Sequence, residues 1–142
     1  MLKTDANALS ILALDVGAKR IGVARALLAV GIANPLTTLT SPALFISDIA
    51  YLVRQEKAGA VVIGLPRGLD GQETEQTRAV RDFGEQLAQH LTVPIYWTDE
   101  ALTSAKAEEE LASRGKGFEK GDIDALAATY ILEDFLHEQG VS

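Results

Sequence analysis

Apolar residues along the chain fall into short runs separated by segments of mixed polarity. Residues 11–16 and 60–64 are nearly uninterrupted apolar runs, which is typical of strands buried on both faces. Residues 21–24 and 31–33 are two short apolar pieces close to the first run, and Asn34-Pro35 is predicted to end the second piece. Residues 94–97 predict one more strand. The pattern therefore predicts three adjacent strands, followed by two that are well separated.

The segments between the later strands repeat apolar residues at helical spacing. Residues 41–59 begin with Ser41-Pro42, a favourable helix start, and residues 80–91 present one apolar face. Further helices are predicted at residues 101–114 and about 122–137, with Asp122 as N-cap of the last one. The order β-β-β-α-β-α-β-α-α predicts an α/β fold, a mixed five-stranded sheet with helices on both faces. We expect a single domain over residues 1–142, with residues 1–9 as a flexible N-terminal extension.

Composition and charge narrow the class of protein. The chain has no cysteine, which excludes disulfides and thiolate zinc sites. The first apolar run stops at Asp15 and lacks a cleavage pattern, so we expect a cytoplasmic protein without membrane association. Thirteen Lys and Arg against 20 Asp and Glu give a net charge of −7, which by itself argues against a nucleic-acid partner.

Three acidic residues stand where a packed fold does not require them. Asp15 interrupts the most apolar strand, Glu100 follows the strand at 94–97, and Asp124 lies on a buried edge of the last helix. Each also has a structural interpretation, namely a salt bridge from Asp15 to Lys19 or Arg20, or the acid preference of a helix start. Converging carboxylates repel unless a cation neutralises them, and oxygen ligands select Mg²⁺ or Mn²⁺. Two such ions about 3.5–4 Å apart support phosphodiester hydrolysis, so convergence of these acids would create a nuclease site.

Five ordered blocks of sequence resemble the YqgF family of bacterial RNase H-like proteins. The family is described both as Holliday junction resolvases and as pre-16S rRNA processing nucleases. The similarity runs from about residue 11 to residue 136. Its blocks are LDVGAKRIGVA at 14–24, NPL at 34–36, VIGLP at 62–66 with DG at 70–71, DE at 99–100 with LT at 102–103, and matching positions between 120 and 132.

The resemblance implies a ribonuclease H-like fold and an endonuclease activity. Carried over by position, it implies that Asp15, Glu100 and Asp124 are catalytic acids that bind Mg²⁺ or Mn²⁺, with two ions expected. The implied reaction is processing of the 5′ end of pre-16S rRNA, with cleavage of four-way DNA junctions as the alternative. The implied partners are structured RNA or branched DNA, and a pre-ribosomal particle. Monomer and homodimer both remain open.

The chain departs from the family pattern in two places. Arg25-Ala26 stands where the family has a Ser-Asp pair, and Ala101 stands where an arginine commonly follows the Asp-Glu pair. That arginine would help to neutralise phosphate. We expect Lys19, Arg20, Arg67 and Lys120 to contact the substrate backbone, the last of them from the glycine-rich loop at 115–121.

Two other functions are compatible with the same residues. The Asp-Val-Gly sequence and its basic turn also resemble the first phosphate loop of actin-like kinases, which would indicate phosphate transfer from ATP. Those enzymes need two such domains, and this chain is long enough for one. A noncatalytic nucleic-acid or protein-binding module is the other alternative, which Ala101 and Arg25 favour.

Overall fold

A five-stranded mixed sheet organises the molecule. The computed structural model describes residues 6–100 and 120–140, and the strand order is β3-β2-β1-β4-β5. The strands are β1 (Ser10–Val16), β2 (Ile21–Leu27), β3 (Ala33–Leu39), β4 (Ala58–Pro66) and β5 (Ile95–Glu100). The first three strands are antiparallel neighbours, whereas β4 and β5 run parallel to β1. The expected α/β architecture with a mixed five-stranded sheet is confirmed.

Helices cover both faces of this sheet. A 3-10 turn at Pro42–Leu44 leads into α1 (Phe45–Gln55), and α2 spans Glu75–Ala88. The last helix, α3, spans Lys120–Glu138. The helix expected at residues 101–114 and most of the glycine-rich loop lie outside the described residues. No helix in the parts of the chain that the structure describes is long and apolar enough to cross a membrane.

Alternation along β1 assigns its side chains to two separate cores. Leu12 and Leu14 pack with the residues of α1 and α2, whereas Ile11 and Ala13 pack with α3. Because Asp15 continues the second series, its side chain faces α3. The sheet therefore supports two apolar layers and presents Asp15 to one of them.

The third strand lies later in the chain than its hydrophobic pattern predicted. Asn34-Pro35 was expected to end a strand at 31–33, but both residues belong to β3, which continues to Leu39. A proline is tolerated there because β3 is an edge strand. The register with β2 shifts between Val23 and Ala24, opposite Pro35. The proline therefore marks an irregularity in an edge strand rather than a strand end.

Two helix boundaries also differ from the sequence prediction. The helix expected to reach residue 59 ends at Gln55, and Lys57 adopts a left-handed conformation (φ 49°) before β4 begins at Ala58. Asp122 was expected to be an N-cap, but it lies in the first turn of α3, which begins two residues earlier at Lys120. Its carboxylate still lies near the positive end of the helix dipole.

The start of β1 is tied to the sheet before the strand itself begins. Leu9, the last residue of the expected N-terminal extension, donates a hydrogen bond to the Lys57 carbonyl (2.8 Å) and accepts one from the Leu28 amide (2.9 Å). Ser10 Oγ donates to the carbonyl oxygen of Glu56 (2.7 Å). These contacts fix the position of β1 and, through it, that of Asp15.

Candidate active site

A row of small residues crosses the sheet at the level of Asp15. Asp15 pairs with Gly22 in β2, and Gly22 pairs on its other side with Thr38 in β3. On the opposite side of β1, Leu14 pairs with Ile63, so Gly64 is the next β4 residue beside Asp15. Asp15 is thus flanked by a glycine on each neighbouring strand, and both glycines leave room above the sheet.

Gly22 allows α3 to approach the sheet at Asp124. A Cβ atom at Gly22 would overlap the backbone carbonyl of Asp124. Beside it, Thr38 Oγ1 donates a hydrogen bond to the carbonyl oxygen of Gly121 (2.6 Å), which ties the first turn of the helix to β3. The absent side chain and this hydrogen bond together place Asp124 over the row that contains Asp15.

Asp15 and Asp124 are close enough to interact electrostatically. Burial of Asp15 raises its pKa from 3.8 to about 6, and the negative charge of Asp124 adds to the increase. The Asp15 carboxylate makes no hydrogen bond or ion pair with any side chain that the structure describes, so the expected salt bridge to Lys19 or Arg20 is absent there. Two neighbouring carboxylates with this electrostatic conflict suit a bound cation.

Arg20 neutralises the second of these acids. Its Nε donates a hydrogen bond to Oδ2 of Asp124 (2.6 Å), and the two side chains are 34% and 18% exposed. Arg20 follows the turn after β1, where the Gly17 amide donates to the Arg20 carbonyl (2.9 Å). The tight turn after β1 therefore positions the Arg20 guanidinium next to the first turns of α3.

Glu100 lies on the same face of the sheet as the two aspartates. The Ile131 side chain of α3 lies directly over Gly64, and Glu100 Cγ would be 3.5 Å from a Cβ at that glycine, so the Glu100 side chain lies near the glycine beside Asp15. Its Oε1 atom is buried. Asp99, the preceding residue, faces the opposite side and accepts a hydrogen bond from Arg67 Nε (3.1 Å). Strand alternation therefore separates the two acids of the Asp-Glu pair.

The donor chemistry of this region fits a hard divalent cation. All three acids offer oxygen ligands, which Mg²⁺ and Mn²⁺ prefer. Within residues 6–100 and 120–140, however, no three His, Cys, Asp or Glu side chains are grouped closely enough to hold one metal ion. Asp15 and Asp124 form the close pair, and Glu100 stands at the adjoining strand end.

Comparison with known proteins decides the family. A family model described as "RuvX: Holliday junction resolvase" matches residues 9–138. The chain belongs to the RuvX family. This membership confirms the resemblance to YqgF proteins and makes the chain a member of a nuclease family, whose members hydrolyse phosphodiester bonds.

Curated relatives of this RuvX-family chain share its length as well as its sequence. A protein of Thiobacillus denitrificans named "Putative pre-16S rRNA nuclease" is 41% identical over 130 residues, which cover 89% of this chain and 90% of the relative. A protein of Crocosphaera subtropica with the same name is 39% identical over 138 residues, or 94% and 96% of the two chains.

Solved structures show the same fold at much lower identity. RuvC of Thermus thermophilus superposes with a TM-score of 0.54 at 17% identity and covers 93% of this chain and 97% of RuvC. The same protein in complex with a Holliday junction substrate gives a TM-score of 0.56 at 18% identity, with 94% and 97% coverage. These similarities confirm the RNase H-like fold of the RuvX-family chain.

The four basic residues expected to contact substrate do not form one group. Arg20 lies beside the aspartates, and Lys19 is exposed in the same turn. Arg67 lies on the opposite face of the sheet, where it pairs with Asp99 and approaches Glu73 (3.7 Å). Lys120 is the first residue of α3.

Gly22 and Gly64 are the site residues that reasoning about charge missed. Neither carries a reactive group, yet Gly22 makes room for the Asp124 backbone and Gly64 makes room for the Ile131 side chain, both of α3. The sequence does contain the signal, because a glycine inside a predicted strand often marks a close backbone approach. In the RuvX-family chain that signal occurs on both strands that flank Asp15.

Proposed function

We propose that this chain is a divalent-metal-dependent endonuclease that processes the 5′ end of pre-16S rRNA in the cytoplasm. The observation that carries the proposal is the placement of Asp124 beside Asp15, where burial and then the charge of Asp124 raise the pKa of Asp15. The names of the curated relatives favour a ribosomal RNA precursor, free or within a pre-ribosomal particle.

Asp15, Asp124 and Glu100 are the residues proposed to hold the metal. Mg²⁺ or Mn²⁺ at these carboxylates would supply activation of the attacking water and neutralise charge at the phosphate. Because Arg20 already forms an ion pair with Asp124, its guanidinium balances one negative charge at the site. Arg20 and the exposed Lys19 are proposed to contact the substrate phosphates, and Lys120 is proposed to approach them from the start of α3.

A four-way DNA junction is the second candidate substrate. The family description names a Holliday junction resolvase, and a T. thermophilus RuvC of the same fold has been solved with such a junction. The acids proposed for catalysis are the same for both substrates. The two functions are therefore distinguished by the substrate that is cleaved and not by the acids.

The test compares both substrates under identical conditions. Purified protein is incubated with a pre-16S rRNA fragment and with a four-way junction, each in Mg²⁺, in Mn²⁺ and in EDTA. We expect cleavage of the RNA fragment only with metal. Asp15→Asn, Glu100→Gln and Asp124→Asn should each lower the rate by more than the 10- to 100-fold typical of a lost outer-shell contact.

Asp134→Asn is the matched control, because Asp134 is an exposed acid on the same helix as Asp124. It should cleave at the wild-type rate. Undiminished cleavage by Asp15→Asn would show that the activity does not belong to this site. Nucleic-acid binding without turnover in either metal would instead favour the noncatalytic module, and preferential cleavage of the junction would favour the resolvase.

A further inference from the structure

A cavity with both charged and apolar lining residues opens on the face of the sheet opposite to the three acids. It lies between α2 and the ends of β4 and β5 and has a volume of about 430 Å³, within the range of small-ligand pockets. Its lining residues are Leu65, Arg67, Arg81, Glu85, Trp97 and Asp99. None of the three proposed catalytic acids lines it.

Two arginines flank one carboxylate, Glu73, at the edge of this cavity. Arg81 hydrogen bonds to Glu73, and Nη1 of Arg67 lies 3.7 Å from Glu73 Oε2. The hydrogen bond from Arg81, together with the charges of Arg81, Arg67 and Arg78, keeps the pKa of Glu73 below its usual range. Arginine clusters of this kind bind phosphate in the same way as carboxylate, through charge-assisted hydrogen bonds.

These ion pairs are accessible to solvent, so an incoming anion can take the place of the carboxylates beside the arginines. Glu73 is 44% exposed and Asp99 is 67% exposed at the side chain. Exposed ion pairs contribute little to stability, and a phosphate would compete with both carboxylates for the same guanidinium groups. Arg67 and Arg81 are themselves only partly exposed, which holds their donors in position.

Trp97 supplies an aromatic surface beside the arginines. It is 36% exposed, although it belongs to β5. Its six-membered ring lies directly over Gly84 of α2, where a Cβ would overlap the ring. One part of the indole is therefore anchored on the helix, while another part remains open to solvent at the cavity.

The cavity adjoins the acid site through the backbone. The Arg67 amide donates a hydrogen bond to the carbonyl oxygen of Glu100 (3.1 Å). Asp99 and Glu100 are consecutive, and their side chains point to the two faces of the sheet. The acid site and the cavity therefore lie on opposite faces of the same strand end.

We propose that this cavity binds one unpaired nucleotide of the substrate, with its base stacked on Trp97 and its phosphate held by Arg67 and Arg81 in place of Glu73. The inference rests on the proposed nuclease function and makes its substrate more specific. A base stacks on an aromatic side chain only when one of its faces is open, as it is in single-stranded nucleic acid. The favoured substrate therefore has an unpaired segment next to the cleaved bond.

The chain contains a single tryptophan, so fluorescence excited at wavelengths that its three tyrosines do not absorb reports on this cavity. Wild-type protein in EDTA is titrated with an oligouridylate of about ten nucleotides, the size that single-strand sites cover. We expect saturable quenching of Trp97 by this strand, and no quenching by an RNA duplex of equal length. Binding detected by anisotropy of a labelled strand without any change in Trp97 emission would overturn the inference.

Substitutions test the two halves of the cavity separately. Arg81→Gln should weaken binding several-fold and lower the slope of log K against log salt by roughly 0.7, as expected for one lost phosphate contact with a single strand. Arg54→Gln, at the end of α1, removes an exposed arginine elsewhere and should change neither value. Equal effects of the two substitutions would show that the strand binds through positive charge in general and not at this cavity.

Trp97→Leu keeps an apolar side chain against Gly84, and its folding is checked by circular dichroism. Its affinity, measured by anisotropy, should fall by about fivefold or more, the low end of what stacking of one base contributes. Undiminished affinity would overturn the inference. Because all binding is measured in EDTA, these results are independent of cleavage. If the strand quenches Trp97 but the protein cleaves nothing in metal, the nuclease function is refuted and nucleotide binding at the cavity is supported. If the protein cleaves its substrate but Trp97 is not quenched, nucleotide binding at the cavity is refuted and the nuclease function stands.

Discussion

The two faces of the sheet handle charge in opposite ways at the ends of β4 and β5. On the α3 face, burial and the charge of Asp124 raise the pKa of Asp15 to about 6. On the α2 face, a hydrogen bond from Arg81 and the surrounding arginine charges lower the pKa of Glu73. The α3 face gathers carboxylates, of which Asp124 is paired with Arg20, whereas the α2 face gathers arginines around one carboxylate. A net charge of −7 therefore says little about where this molecule can receive a phosphate.

Strand alternation produces this difference over very short distances. Glu100 faces α3 and Asp99 faces α2, although the two are adjacent in β5. A shift of the β5 register by one residue would exchange them and bring Asp99 to the acid face. The pairing of Leu65 with Asp99 and of Pro66 with Glu100 fixes which acid belongs to which face.

The largest expected effect on stability and cleavage comes from adding a side chain at Gly22, on the face of the sheet that α3 covers. In Gly22→Ala the new methyl group would overlap the Asp124 carbonyl, so α3 has to move away from β2. We expect a loss of about 1–3 kcal/mol in the free energy of unfolding, as for an overpacked core, and a fall of roughly a hundredfold in cleavage, as for a misplaced catalytic group. Urea unfolding and initial cleavage rates measure the two effects.

Gly121→Ala is the matched control for this substitution. A Cβ there would lie 3.6 Å from Thr38 Cβ, an ordinary contact, and the position is helical. Alanine should keep or slightly raise stability, since it is the better helix former. Equal destabilisation by the two alanines would mean that general disturbance of α3, rather than the close approach at Gly22, controls the site.

The second-largest expected effect is on the free energy of unfolding, because the fold holds the ionisable Asp15 carboxyl largely away from water. The folded chain holds the Asp15 proton up to about pH 6, whereas the unfolded chain releases it near the ordinary pKa of 3.8. Stability from this group is therefore complete below the lower pKa and is lost as the pH rises through the higher one. Asp15→Asn should then stabilise the fold above pH 6 by up to about 3 kcal/mol, an upper limit because Asp15 is partly exposed.

Urea unfolding in EDTA at about pH 4 and about pH 8 measures this difference between Asp15→Asn and wild type. The variant should gain stability at the higher pH and not at the lower one. Asp134→Asn, at an exposed position of α3, should show no such dependence. A gain that is equal at both pH values would assign the effect to packing and not to charge.

The smallest expected effect concerns the affinity of the cavity that Arg67 and Arg81 line on the α2 face. Glu73→Gln removes the carboxylate that Arg67 and Arg81 share, so a phosphate no longer competes with it. We expect the affinity for the oligouridylate to rise a few-fold at low salt and the gain to disappear at high salt. Fluorescence titration of Trp97 at two salt concentrations measures this, and weaker binding by Glu73→Gln would mean that Glu73 positions the arginines.

Sequence patterns predicted the centre of the fold better than its edge. The apolar runs at β1 and β4 are buried on both faces, so their patterns carry a strong signal. The edge strand β3 is exposed along much of its length and contains Pro35, and the sequence prediction placed its end where it begins. Exposure weakens the pattern from which a strand is predicted.

The same contrast applies to the candidate site. Asp15 and Asp124 were predictable, because charges in apolar segments are conspicuous in a sequence. The position of Arg67 was not, because a loop residue can turn towards either face and only the contacts with Asp99 and Glu73 decide it. The partner of Arg20 was also missed, since Asp124 is 104 residues away in the chain.

The glycines beside Asp15 have a consequence for how this protein can evolve. At Gly22 and Gly64 every substitution adds atoms, and no smaller residue type exists as an intermediate step. Helix α3 already fills the space over both positions, through the Asp124 backbone at Gly22 and the Ile131 side chain at Gly64, so the lineage can accept a larger residue at Gly22 only by moving that helix and at Gly64 only by repacking its contact with Ile131.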